Sequence, residues 1–270
     1  MILELISGFR IAPTGGLGAV TMATGDSAAV KSFELPGRAF LLNFWGRNQT
    51  GGNIRVRSTR MHDRENGINV FNVAAQVYPL MPVGQQQEIF PNDVLIIENA
   101  GSAVAGDIES VVLMLGYTGI RGMYGQFIDE RELDLRTINL LTTEQSIVAG
   151  TAGGWSGSQA LSAAASGDLL KKDFEYAVLG FTVQDDVAAV SLKGGDFGNV
   201  RVGGPGNSKD KDVSREWFLR LTRAHGQPMV PVFKASNVGG IVTEVVNDEN
   251  ALTTKVDWIL AQLAPVAPAK

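Results

Sequence analysis

A chain of 270 residues with no cysteine, 23 basic and 28 acidic side chains and a net charge of −5 excludes a disulfide framework, a thiol nucleophile and thiolate metal sites. Its 44% hydrophobic and 19% charged content is that of a folded globular chain and not of a disordered one. The opening run carries Glu4 and no positive residue ahead of its apolar part, and Val111 to Tyr117 falls far short of the ~18 residues of a spanning helix, so a soluble chain without a secretory signal is expected.

Strand signals fill residues 17 to 117, namely Ala19–Ala23, Ala29–Leu35, Ala39–Trp45, Ile54–Ser58, Ile68–Tyr78, Val94–Glu98 and Ile108–Tyr117. They are separated by Gly25-Asp26, Pro36-Gly37, Gly51-Gly52, Asn66-Gly67 and Pro91-Asn92, residues that favour turns for stated steric reasons. Short strands broken by such frequent turns predict a sandwich or barrel of about eight strands over 1–120, not alternating βαβ units.

Between 121 and 167 the texture changes, and a connector is expected. Asp129-Glu130-Arg131-Glu132, followed by Leu133, Leu135, Ile138, Leu140 and Leu141, reads in part as a helix, while the Gly, Ser and Ala of 150–167 read as a flexible linker with Trp155 in a loop. Strand patterns resume over 168–270: Phe174–Val183, Val187–Leu192, Val200–Val202, Trp217–Thr222, Met229–Lys234 and Ile241–Val246. Val256 to Leu263 fits a strand and a short helix alike.

The two β-rich tracts resemble one another. Phe33 and Phe40 are matched by Phe174 and Phe181, Gly52–Val56 by Gly198–Val202, Pro91 and the strand after it by Pro231 and Ile241–Val246, and Ile108-Glu109 with Val112 and Leu115 by Val256-Asp257 with Leu260 and Leu263. The matches keep their order, so two similar all-β domains are expected, each near the size of an eight-stranded jelly roll.

In that arrangement, over 17–117 and 168–263, the chain resembles the double jelly-roll major capsid proteins of membrane-containing icosahedral viruses and phages. The resemblance implies a virion subunit made in the host cytoplasm. Three copies would form a homotrimer of pseudo-hexagonal outline that tiles, with other capsid proteins, over an internal membrane. The acidic balance and lack of a basic arm speak against direct nucleic-acid binding.

Arg55, Arg57, Arg60 and Arg64 form the densest basic stretch, and Arg55 and Arg57 share one strand face by the period of two. They read as a solvated face or, more sharply, as subunit contacts to Asp129, Glu130, Glu132 and Asp134 of a neighbouring copy. Lys31 is the single lysine among the ten basic residues up to Leu135, so few lysines blunt the sheet edges of the first half.

Catalytic chemistry is not legible. With only His62 and His225 no three-histidine metal site exists, and both read as surface turn residues. Gly154-Trp155-Ser156-Gly157-Ser158 lacks the closing glycine of a nucleophile elbow. The glycine-rich stretches at 15–18 and 203–209 read as ordinary loops, with Pro205 removing a donor that a phosphate loop would need. Asp185-Asp186, Asp210 with Asp212, and Asp248-Glu249 lack the spacing of a calcium loop. A non-enzymatic protein without cofactor or metal is expected. The alternatives are a β-sandwich module of a phage tail, baseplate or receptor-binding apparatus and, beyond that, a carbohydrate-binding protein.

Overall fold

The structure is a computed structural model that describes residues 1–11, 18–19, 21–22, 38–48, 50–61, 63–90, 93, 95–100, 104–118, 126–148, 150, 152–161, 170–247 and 252–265. The first half contains β1 (Ile2–Ile11), β2 (Gly18–Ala19), β3 (Thr21–Met22), β4 (Arg38–Arg47), β5 (Gly52–Arg57), β6 (Ile68–Asn72), β7 (Gln87–Ile89), β8 (Ile96–Ala100) and β9 (Ile108–Thr118). The second half contains β10 (Gln126–Ile128), α1 (Glu130–Arg136), β11 (Thr137–Val148), β12 (Trp155–Ala160), β13 (Glu175–Val183), β14 (Val187–Lys193), β15 (Arg201–Gly206), α2 (Lys211–Arg215), α3 (Trp217–His225), β16 (Val230–Lys234), β17 (Val242–Val246) and β18 (Thr253–Leu263). The protein is therefore mostly β, with few helices, and every strand pairing is antiparallel.

Four sheets form, in the orders β3-β1-β9-β4-β7, β2-β8-β5-β6, β10-β16-β13-β18-β11 and β12-β17-β14-β15. With the short β3 and β10 set aside as additions to sheet edges, the two halves have one and the same strand order. Counted along the chain, strands 1-8-3-6 make one sheet and strands 2-7-4-5 the other, first from β1, β2 and β4–β9, and then from β11–β18. Strand 1 pairs with 8, 2 with 7, 3 with 6 and 4 with 5, so each half is a long antiparallel ribbon folded over on itself.

One irregularity also repeats. The third strand of each half has one extra residue against the eighth: Leu42 between the pairs Leu41–Leu115 and Asn43–Met114, and Leu179 between Val178–Leu260 and Gly180–Ile259. Each is a β-bulge, which reverses the face on which the following side chains point. Before Leu42, Ala39 and Leu41 face the core of the first half; beyond it, that face is taken by Phe44.

The bulges also correct the register of the sequence repeat. Phe44, three residues past Leu41, is the counterpart of Phe181, three past Val178, so Phe40 is not. Leu115 likewise matches Leu260 and not Leu263. Gly52–Val56 lies on β5, a fourth strand, whereas Arg201 and Val202 lie on β15, a fifth, so that match joins non-equivalent strands. Patterns of Val, Ile and Phe recur every two residues and cannot by themselves select a register. Phe33 lies outside the described residues.

The sheet containing β1, β9 and β4 is covered on both sides. Ile6, Leu41, Phe44, Val111, Leu113, Leu115 and Tyr117 pack against Ile54, Val56 and Ile97 of the first half's other sheet. Leu3, Leu5, Phe40, Leu42, Trp45, Val112 and Met114, on the opposite face, join the core of the second half, where β1, β4 and β9 meet β14 and β15. Burial from both sides explains why β4 and β9 are almost continuously apolar. Trp45 ties the layers together: its Nε1 donates to the Ala188 carbonyl at 2.7 Å, and its ring meets Trp217 edge-on with centroids 6.2 Å apart.

The stretch 121–167 differs from the expected connector. α1 is only seven residues long, and β11 and β12 follow it as the first and second strands of the second half. Trp155 lies on β12 with the Arg201 guanidinium 4.9 Å above its ring, so it is not a loop residue. Trp217–Thr222, expected as a strand from the alternation of Trp217, Leu219 and Leu221, is helical. Phe218 and Thr222 are buried as well, and Gly226, at φ +62°, closes the last turn with its N–H on the Thr222 carbonyl. Val256 to Leu263 resolves as strand: β18 lies between β11 and β13, and buried Thr254, Val256, Trp258 and Leu260 alternate with more exposed neighbours. Gly203 to Gly206 is no loop but the buried strand β15. An added Cβ on Gly203 would lie 1.8 Å from the Val190 carbonyl oxygen, so only glycine allows the pairing there. Among the described residues no helix is long and apolar enough to cross a membrane.

Candidate interaction surfaces

The charged side chains of the expected contacts lie on β5, just beyond its end, and on α1. On β5 and β8, Arg55 and Arg57 converge on one carboxylate, with Nε atoms 2.6 and 2.9 Å from Glu98 Oε2. These hydrogen bonds hold the Glu98 carboxyl down at about 2, from an ordinary 4.5. Arg55 and Arg57 thus share a face as the period of two requires, but they are engaged within their own chain. Arg60 and Arg64 sit beyond the end of β5, exposed, around a shallow hollow with Thr59, Met61 and Phe90.

The acidic group gathers on α1. Asp129 is the N-cap and accepts the Glu132 N–H at 2.8 Å, satisfying one of the donors a helix start leaves open. Glu132 and Glu175 both hold Arg136, at 2.7 and 2.6 Å. Glu130 takes the Arg223 guanidinium of α3, which keeps its carboxyl below the ordinary range. Asp134 is exposed and feels the same guanidinium. Asp129, Glu130, Asp134 and Arg223, with Leu135, Thr222 and Gln227, line an open cleft of about 610 Å³ between α1 and α3.

The second half repeats the pattern of the first with other residues. On β17, Glu244 takes Arg201 Nε at 2.7 Å, and Arg201 in turn covers Trp155. Sequence reading missed this pair because Arg201 and Glu244 come together only through the order of β15, β14 and β17.

Two of the remaining carboxylates, Asp186 and Asp212, have structural partners. Asp186 accepts the Ser208 N–H and hydroxyl at 2.6 and 2.7 Å, and Asp212 pairs with Arg215. Asp248 and Glu249 lie outside the described residues, as does His62. His225 is half-buried in the last turn of α3, where burial lowers its pKa. Among the described residues no three His, Asp or Glu side chains are grouped to hold a metal ion.

No protein-family model and no curated protein matches the chain. Among solved structures it is similar to the crystal structure of PBSX exported protein XepA. The identity is 8%, over 96% of this chain and 86% of that one, with a TM-score of 0.30, a level from which nothing about role follows.

Proposed function

We propose that the chain is a structural virion protein, a major capsid subunit built of two tandem jelly rolls, three copies of which form a pseudo-hexagonal capsomer of an icosahedral shell. The observation that carries this reading is the twice-used strand order, 1-8-3-6 against 2-7-4-5. A ribbon folded over so that strands 1–8, 2–7, 3–6 and 4–5 pair is what a jelly roll is.

The way the halves meet supports the same reading. The 1-8-3-6 sheet of one half lies against the 2-7-4-5 sheet of the other, a head-to-tail contact between similar bodies. Contacts of that sense close into rings when their rotation allows. A deep, shared apolar core makes the subunit one stiff piece, as a shell that bears load requires. Subunit contacts would set Arg60 and Arg64 of one copy against Asp129 and Asp134 of the next. Arg55, Arg57, Glu130 and Glu132 would set the local charge while bonded within their own chain. The protein would need no cofactor, act in the virion beside other capsid proteins and an internal membrane, and leave nucleic acid to other components.

Solution mass together with electron microscopy of the purified protein tests this. Trimers, and particles or flat hexagonal arrays grown from them, are the expected result. A strictly monomeric chain at low and moderate salt, with no particles in its source, would turn the reading to a tail, baseplate or receptor-binding module.

A further inference from the structure

We propose that the outer edge of β11 is a seam at which two copies of this chain join, strand to strand and antiparallel, to make one continuous sheet. β11 is the last strand of its sheet and is 12 residues long. Its counterpart β1 has β3 laid along its own outer edge at Gly8 and Phe9, whereas among the described residues nothing pairs with the outer edge of β11.

An edge left open is normally blunted by lysine, proline, shortness or a bulge. β11 has no lysine or proline and is long, and its one irregularity, the extra residue Ile138 between the pairs Thr137–Leu263 and Asn139–Gln262, falls at its start. Its sequence, TINLLTTEQSIV, includes one charge, Glu144, which is already bonded at 2.8 Å to Lys255 of the adjacent strand. Exposed apolar side chains are concentrated there too: Leu140 is 68% exposed, Val148 58% and Ile138 50%, with Leu135 at 77% just before the strand. On the outer face of the same sheet Thr182, Lys255 and Asp257 accompany the half-buried Ile259, while the exposed large apolar side chains, Ile138, Leu140 and Val148, all belong to the edge strand.

The occupant follows from the strand's own pattern. Side chains on one face of a sheet must lie opposite side chains on the same face, so a two-fold axis must pass through a residue and not between two. Centred on Thr143, the pairing sets Ile138 against Val148 at both ends, Leu140 against Ser146, and Thr142 against Glu144. A shift to Glu144 would set Leu140 against Val148 but bring two carboxylates face to face, and a shift to Thr142 would pair Ile138 with Ser146 and Leu140 with Glu144. Charge therefore rejects the first shift and apolar matching the second. This seam is two-fold and stands independently of the trimer proposed above.

The absence of native cysteine allows a direct test on the full chain. In the double variant Leu140→Cys, Ser146→Cys, oxidation is expected to give a dimer cross-linked between residue 140 of one copy and 146 of the other, located by peptide mass spectrometry, while neither single variant cross-links. Leu140→Lys, at an exposed site, is expected to fold and melt as the parent does and to shift the solution mass away from even-numbered oligomers. The proposal is overturned if the double variant cross-links no more than the single ones, or if Leu140→Lys leaves the oligomer unchanged. A trimer without the 140–146 link would overturn the seam and leave the shell reading standing; a linked dimer that forms no trimer would do the reverse.

Discussion

Glu98 and Glu244 occupy the same place in the two halves of the chain. Each stands on the seventh strand, directly across from a fourth-strand residue, Arg55 in the first half and Ser191 in the second. The carboxylate is kept but its cation is not. Arg55 and Arg57 reach Glu98 from the neighbouring strand, whereas the small Ser191 lets Arg201 reach Glu244 from one strand further away. The duplication is thus carried by position in the fold, with the bonding partner supplied by whichever strand lies within reach.

The Glu98 cluster makes stability depend on pH in a definite direction. A carboxylate whose folded pKa lies at about 2, below its ordinary 4.5, adds stability that is complete above the higher value and is lost as pH falls toward the lower. At ~1.4 kcal/mol per pKa unit the contribution is at most about 3 kcal/mol, and the partial exposure of the arginines reduces it. Glu98→Gln is expected to be less stable than the parent at pH 7 and to lose less between pH 5 and pH 2, as read by urea unfolding at each pH.

Because one face of the first half's inner sheet belongs to the core of the second, the halves are expected to unfold together. Phe44→Ala and Phe181→Ala, at equivalent places, should each cost about 3–5 kcal/mol through lost burial and a cavity. Calorimetry is expected to show a single transition that both substitutions lower. Two resolved transitions, each moved by one substitution, would contradict the shared core.

Trp45 joins the halves by a hydrogen bond as well as by packing. Trp45→Phe keeps most of the ring but leaves the Ala188 carbonyl without its donor, at a cost of about 1–3 kcal/mol. Trp45→Ala should approach the 3–5 kcal/mol of a large core deletion. Denaturant unfolding of the two variants side by side separates the bond from the bulk.

Two glycines should respond in opposite ways to alanine. Gly203→Ala would drive a Cβ into the Val190 carbonyl and spread β14 from β15, with a loss of about 1–3 kcal/mol or more. Gly195, where an added Cβ meets nothing within 4 Å, should tolerate the change within about 0.5 kcal/mol. Melting temperatures of both variants check the contrast.

By itself the sequence determined the all-β class and most strands of the first half, because alternation and turn chemistry act over a few residues and leave a local signature. It also placed Arg55 and Arg57 on a common face, which follows from the pleat alone. The tertiary structure decided what depends on distant partners. It set the register between the halves, which rests on the extra residues Leu42 and Leu179. It made a helix of Trp217–Thr222, where a buried stripe of Trp217, Phe218, Leu221 and Thr222 outweighed alternation, and a strand of Trp155–Ala160, whose Trp155, Ser156, Gln159 and Ala160 pair with β17 in place of forming a linker. It gave Glu98 and Glu244 their arginines. Each of these outcomes was fixed by which strand came to lie beside which, and hydrogen bonds and packing between segments far apart in the chain supply that choice.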